Sequence, residues 1–238
     1  MTTLHPEHAH EQQGEVELRH HFDDELDEIR RGLVDMGSRV VENTKLAGEA
    51  AVENRLDLVE VVRAGDGPIN ELYRILEQRT FEILALQQPV AADLRFLVAV
   101  TRILYEIERS GDLAVNIVNR VAAQNGFPQL GDVQRLLGRL VDESLKIFAA
   151  AVEAIADLDP EIGANAEEAD DVVDDITERF FGTIHAHSAE LGLECSVELS
   201  HVGRFLERIA DHGVNIAQNV TYVMTGTFPD EDERTSLG

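Results

Sequence analysis

Two stretches of the chain, ERSGDLAVN at 108–116 and ERIADHGVN at 207–215, repeat one order: a glutamate, an aspartate four residues on, and an asparagine four residues beyond that. A helix turns such a series by only about 40° per step, so Glu108, Asp112 and Asn116 form one short oxygen-bearing stripe, and Glu207, Asp211 and Asn215 another. Upstream of the second stripe, Asp170 and Asp174 make a further pair one helical turn apart; the corresponding residues upstream of the first stripe are Asp66 and Asn70. If the helices carrying these pairs lie antiparallel, Asp170, Asp174, Glu207 and Asp211 converge in the second half. Asp66, Glu108 and Asp112 converge in the first, where Asn70 offers only a neutral oxygen. Gathering so many like charges is costly unless some are protonated or a cation sits among them. An all-oxygen set favours hard or intermediate divalent ions, and carboxylate bridging also suits iron, so Fe, Zn, Mn and Mg are the candidate ions. The bland alternative is that these residues cap helices, pair with Arg204 and Arg208, or ring the bundle in water. Asp66, just before Gly67 and Pro68, reads first as an N-cap and only second as a ligand.

Both stripes lie beside an apolar arc. Leu199, Val202, Leu206, Ala210, Val214, Ala217 and Val220 run along one, and Leu97, Val100, Leu104, Ile107, Ala114, Val115 and Val118 along the other. The carboxylates therefore belong at the lip of a buried face. The rest of the chain follows the same period. Phe22, Leu26, Ile29, Leu33, Met36, Val40, Ala47 and Ala51 space out a long first helix. A helical stretch from Leu56 to near Gln88 and Pro89 follows, with Gly65, Gly67 and Pro68 predicting a kink or a fresh start inside it. A third helix covers about 92–123, and the cluster Asn125, Gly126, Phe127, Pro128 and Gly131 breaks the chain. The program then repeats: Val133, Leu137, Leu140, Ile147, Ala151, Ala154 and Leu158, with Ser144 in one seam slot, form a helix closed by Asp159 and Pro160. A helix through Val173, Ile176, Phe180 and Ile184 runs to Gly192, and a last one covers about 195–225. No alternating strand pattern appears. The expected fold is all-α: two tandem three-helix bundles, six helices with internal pseudo-two-fold symmetry, at 19–125 and 131–225, flanked by a loose leader (1–18) and a polar tail (226–238).

Composition narrows the class of function. With 46 acidic against 20 basic residues and a net charge of -26, the surface opposes phosphate backbones and anionic lipid, so nucleic acid is excluded as a direct partner. Arginine supplies the basic residues apart from Lys45 and Lys146, and such an acid-rich, Lys-poor surface also fits adaptation to high salt. The apolar runs are far too short for direct membrane insertion, the N-terminal residues lack a signal-peptide pattern, and the single Cys195 fits a reducing compartment; a cytoplasmic location is expected. Glu198 and His201 have the spacing of a di-iron carboxylate pair, but the other such pair, Glu17 and His20, falls in the leader. His185, His187 and His212 read as surface residues. No phosphate loop, nucleophile elbow or Cys/His cluster is present.

The phrases ERSGDLAVNIV and ERIADHGVNIA, together with QQPVAADLR at 87–95 and the Met36-Gly37 pair, resemble the PhoU family of phosphate-signalling regulators over about 18–225. The resemblance implies two three-helix bundles side by side, acidic motifs that hold metal clusters in some members, and frequent homodimers. It implies a non-enzymatic negative regulator linking the ATP-binding subunit of a phosphate ABC transporter to a sensor histidine kinase. Asn70 departs from the family's usual aspartate, which makes the first acidic site the poorer one. Two readings compete with a regulator: a carboxylate-bridged metal enzyme, disfavoured by the missing paired motifs, and a ligand-free helical scaffold.

Overall fold

The computed structural model describes residues 6–159 and 161–227, without the side chains of 6–19 and 21. Its helices are α1 (Pro6–Glu53), α2 (Val59–Leu86), α3 (Ala91–Ala123), α4 (Gly131–Asp157), α5 (Ile162–Ala186) and α6 (Ser188–Thr225), with a short 3₁₀ turn at Leu56–Leu58 before α2. No strand occurs among the described residues. The two halves pack alike: α1, α2 and α3 contact one another, as do α4, α5 and α6, and the halves meet through α1 on α4 and α3 on α6. Exchanging the halves leaves that contact pattern unchanged, as a pseudo-two-fold requires.

The seam residues explain the packing. Ile29, Leu33, Met36, Val40, Ala47 and Ala51 on α1, and Val133, Leu137, Leu140, Ile147 and Ala151 on α4, are buried. Of the two arcs beside the acidic stripes, only Val115 is incompletely covered. The buried side chains of both halves form one continuous core. Close approach between helices depends on glycine at several places, Gly37 and Gly213 among them. A Cβ on Gly37 would lie 2.6 Å from Val152 across the α1–α4 contact, and one on Gly213 would lie 3.0 Å from the backbone of Phe148 on α4.

The break between halves is built as the sequence suggests. Asn125, with φ of 53°, follows the end of α3; its N–H reaches the Ala122 carbonyl at 3.1 Å, and the Gly126 N–H reaches the Val121 carbonyl at 2.9 Å, a Schellman closure. Asn54, just past α1, then clamps the linker at both ends of one residue: its amide donates to the Phe127 carbonyl (2.8 Å) and its oxygen accepts from the Phe127 N–H (2.7 Å).

Two local expectations change, and a third lies partly outside the described residues. The fresh start near Pro68 does not occur, because α2 runs unbroken from Val59 to Leu86 with Pro68 inside it. Ala64 and Pro68 are both exposed, so the carbonyl that proline leaves without a donor faces water. Gly65 serves packing here: a Cβ would meet Asn43 Oδ1 at 2.5 Å, where the Asn43 amide donates to the Val62 carbonyl. Helix α1 begins at Pro6, so 6–18, expected as a loose leader, continue the helix; proline suits a first helical position, and the Glu, Gln and Leu that follow are good helix formers. At the C-terminal side of α4 the chain turns at Leu158, whose φ is 51°; Pro160, expected to close that helix, and 228–238, most of the expected polar tail, lie outside the described residues.

Candidate functional site

Each half carries its carboxylates on the rim between its last two helices. In the second half Asp170 and Asp174 come from α5, and Glu207 and Asp211 from α6. Asp170 and Glu207 are half-buried while Asp174 and Asp211 stand at the more open edge. The four lie near enough for their charges to act on one another. Burial pushes the Asp170 carboxyl up to about 6, and the charges of Asp211, Asp174, Asp171 and Glu207 add to the shift. Asp211 is raised by loss of water and by Glu207 and Asp174, against Arg208 and Arg204. Arg204 donates to both oxygens of Glu207, at 2.6 Å to Oε1, and its guanidinium lies 5.4 Å from the Phe181 ring centroid. The ion-pair alternative weighed from the sequence is thus real for Glu207.

In the first half Asp66 and Asn70 come from α2, and Glu108 and Asp112 from α3, all half-buried. Burial and Asp112 raise the Asp66 carboxyl, and burial, Asp112 and Asp66 raise Glu108. The N-cap role expected first for Asp66 is overturned: it lies inside α2, one turn before Asn70, whose amide nitrogen donates to its Oδ2 at 2.6 Å. Asn70 therefore acts as a donor to Asp66 in place of the neutral ligand oxygen anticipated.

The remaining oxygens of the upstream aspartates are the informative atoms. Asp66 Oδ1 and Asp170 Oδ1 are both buried without a hydrogen-bond partner, and they occupy equivalent positions in the two halves. Buried carboxylate oxygens are ordinarily satisfied, so an unpaired one in the same place in each half calls for a cation, a water or a proton. Among the described residues no group of three or more His, Cys, Asp or Glu side chains is already arranged to hold a metal ion. Either lip would have to rearrange its side chains to enclose one.

Of the supporting asparagines, Asn116 is half-buried, while Asn215 leaves its stripe and donates across the seam to Glu106 Oε1 at 3.3 Å. That seam holds polar residues which sequence reasoning missed. His212, expected at the surface, is only 8% exposed: its Nδ1 lies 2.9 Å from Ser110 Oγ on α3 and its Nε2 lies 3.7 Å from Glu106 Oε2. Burial lowers its imidazole to about 4. Its burial is set by α3, far away in sequence, and the helical period alone gave no sign of it. His187 is half-buried, bridging Asp132 at the start of α4 (2.9 Å) and Glu190 (3.5 Å), whereas His185 is exposed as expected. The Glu198 and His201 pair is taken up by a partner from the other half, Arg120, 3.2 Å from Glu198 Oε2.

These features define a class: a duplicated helical bundle with a half-buried carboxylate lip in each half and no described helix long and apolar enough to cross a membrane. The chain belongs to the PhoU family, whose PhoU domain matches residues 33–121 and 137–220. It is 32% identical to a phosphate-specific transport system accessory protein PhoU homolog of Synechocystis sp., over 87% of this chain and 93% of that one. It is 29% identical to a PhoU homolog 1 of Mycobacterium leprae, over 90% of this chain and 97% of the relative. The crystal structure of PhoU from Pseudomonas aeruginosa superposes with a TM-score of 0.81 at 27% identity, covering 87% of this chain and all of that one.

Proposed function

We propose that the protein is a non-enzymatic accessory regulator of phosphate-specific transport, acting in the cytoplasm as a homodimeric adaptor between the ATP-binding subunit of a phosphate ABC transporter and a sensor histidine kinase. Family membership across both repeats supports the phosphate connection, since the relatives matched over nearly their whole length carry that role in their names. Deleting the gene in phosphate-replete medium should raise phosphate uptake and phosphatase output. Unchanged output would remove this reading and leave the scaffold.

The same proposal assigns the two lips to divalent metal. The observation that carries it is the pair of orphaned buried oxygens, Asp66 Oδ1 and Asp170 Oδ1, at equivalent positions in the two halves. Asp170, Asp174, Glu207 and Asp211 would hold an ion in the second half, and Asp66, Glu108 and Asp112 in the first. The ion supplies positive charge that relieves the repulsion among these carboxylates, so its role is structural, setting how α5 meets α6 and α2 meets α3 on the surface offered to partners. Calorimetry with Fe, Mn, Zn and Mg on stripped protein tests it. Absence of saturable binding leaves the lips as solvated edges.

A further inference from the structure

Across the α3–α6 seam from the buried histidine, a groove opens between α2, α3 and α6 with a cavity of about 470 Å³. Tyr73 on α2, Thr101, Tyr105 and Glu106 on α3, and Asn215 and Asn219 on α6 line it. Four of these side chains turn a donor toward the protein. The Thr101 hydroxyl donates to the Val98 carbonyl (2.8 Å) and the Tyr73 hydroxyl to Glu77 (2.7 Å). The Asn215 amide donates to Glu106 Oε1 (3.3 Å) and the Asn219 amide to the Asn215 carbonyl (2.8 Å). Oxygen lone pairs are left over. Asn219, only 7% exposed, has an Oδ1 with no partner, and the Glu106 side chain is 17% exposed. Arg102, also on the wall, has an interaction of its own. A hydrogen-bond donor is the partner that Asn219 Oδ1 lacks.

The other half of the molecule shows which donor. In the register that sets Glu108 on Glu207, Asn219 falls on Arg120 and Ala99 on Glu198. At that equivalent place Arg120 spans from α3 to α6 and meets Glu198 at 3.2 Å, so the chain fills the seam with its own guanidinium and carboxylate. Here the long side chains are replaced by asparagine and alanine, and the cavity remains. An aromatic wall suits the same cation: the Arg109 guanidinium already lies 5.5 Å from the Tyr105 ring centroid.

We propose that the groove formed by Tyr73, Thr101, Tyr105, Glu106, Asn215 and Asn219 binds a guanidinium group from outside the chain, borne either by a small guanidine or by an arginine side chain of a partner protein. Glu106 supplies the countercharge and Asn219 Oδ1 an acceptor, matching the planar fork of donors that a guanidinium presents. The proposal does not depend on the acidic lips or on the regulatory reading.

The test is a titration of the isotope-labelled full chain with methylguanidinium, N-acetyl-arginine amide, free arginine and inorganic phosphate, read on the side-chain amide resonances of Asn215 and Asn219. Saturable shifts with methylguanidinium are expected. Parallel shifts with the blocked arginine assign the natural source to a residue in a partner chain, and a response confined among the arginines to the free amino acid assigns it to a small molecule. Asn219→Arg, which places the counterpart's guanidinium in the groove, should abolish the response, and Glu106→Gln should weaken it about tenfold, as for a lost charged hydrogen bond. Thermal melts check that each variant folds; Tyr73→Ala, on the outer wall, gives a third variant expected to weaken binding if a seam substitution prevents folding. No shift with either guanidine, binding of phosphate in their place, or a full response in Asn219→Arg overturns the proposal.

Discussion

The two acidic lips share a backbone plan and differ at one ligand position, Asn70 against Asp174, and that single difference reverses how each lip manages its charge. In the first, burial and Asp112 raise the Asp66 carboxyl, and the Asn70 amide, donating to Asp66 Oδ2 at 2.6 Å, offsets part of that rise. In the second no such donor is present on α5, and Asp174 instead joins Asp211, Asp171 and Glu207 in pushing Asp170 up to about 6. The first lip settles part of its repulsion at Asp66, while the second does so at Glu207 through Arg204 and leaves Asp170 crowded. A duplicated fold thus repeats the backbone plan while one side chain changes how the upstream aspartate is met.

The largest effect should come from metal itself. A ligand present at a hundred times its dissociation constant stabilises by about 2.7 kcal/mol, which for a chain of this size is roughly 5–10 °C in melting temperature. Chelation should remove that increment and added Mn, Fe, Zn or Mg restore it. Asp211→Asn should erase more of the shift than Asp112→Asn, and equal losses, measured by differential scanning calorimetry, would show the two lips to be equivalent.

Exchanging the distinguishing residue sharpens the comparison. Asn70→Asp removes a donor and adds a charge beside Asp66, so the metal-free protein should lose about 1–2 kcal/mol, or roughly 2–8 °C, while its response to metal grows. Asp174→Asn should do the reverse in the second lip. A metal response that does not follow the aspartate from one half to the other would mean that the difference resides in Arg204, which holds Glu207 in the second lip.

How much of this was legible in the chain depends on the range of the interactions involved. Six helices and the seam from Ile29 to Ala51 follow from a period of three to four residues, which is local information. The meeting of Asp170 with Asp211 was legible because two i,i+4 pairs on consecutive helices leave few other arrangements. Asp66 was misread because Gly67 and Pro68 are strong local signals for a helix start, overruled by the packing of Gly65 on Asn43 of α1. His212 was misread because Ser110 and Glu106, which bury it, belong to the other half.

The smallest effect separates the lip from the seam by pH. Asp170 titrates at 3.8 when unperturbed and at about 6 in the fold, so the folded state holds its proton more tightly, and its contribution to stability is lost as pH rises through that interval. His212 runs the other way: 6.5 unperturbed and about 4 in the fold, with burial first and Arg208 and Arg109 behind it, so stability is lost as pH falls through its interval. The two slopes oppose each other between about pH 4 and 6, and the raised carboxyls of Asp66, Glu108, Asp211 and Glu106 add to the side of Asp170. Metal-free protein should therefore melt somewhat higher near pH 5 than at pH 7.5. Asp170→Asn should raise the melting temperature at pH 7.5 by roughly 2–4 °C, the equivalent of about 1 kcal/mol once solvent screening is allowed for, and expose the opposite slope of His212. His212→Leu, which installs the residue that α3 carries at the equivalent Leu113, should steepen the loss of stability with rising pH. If both variants keep the parent's pH profile, neither the crowding of the second lip nor the burial of the seam histidine governs the pH response of the bundle.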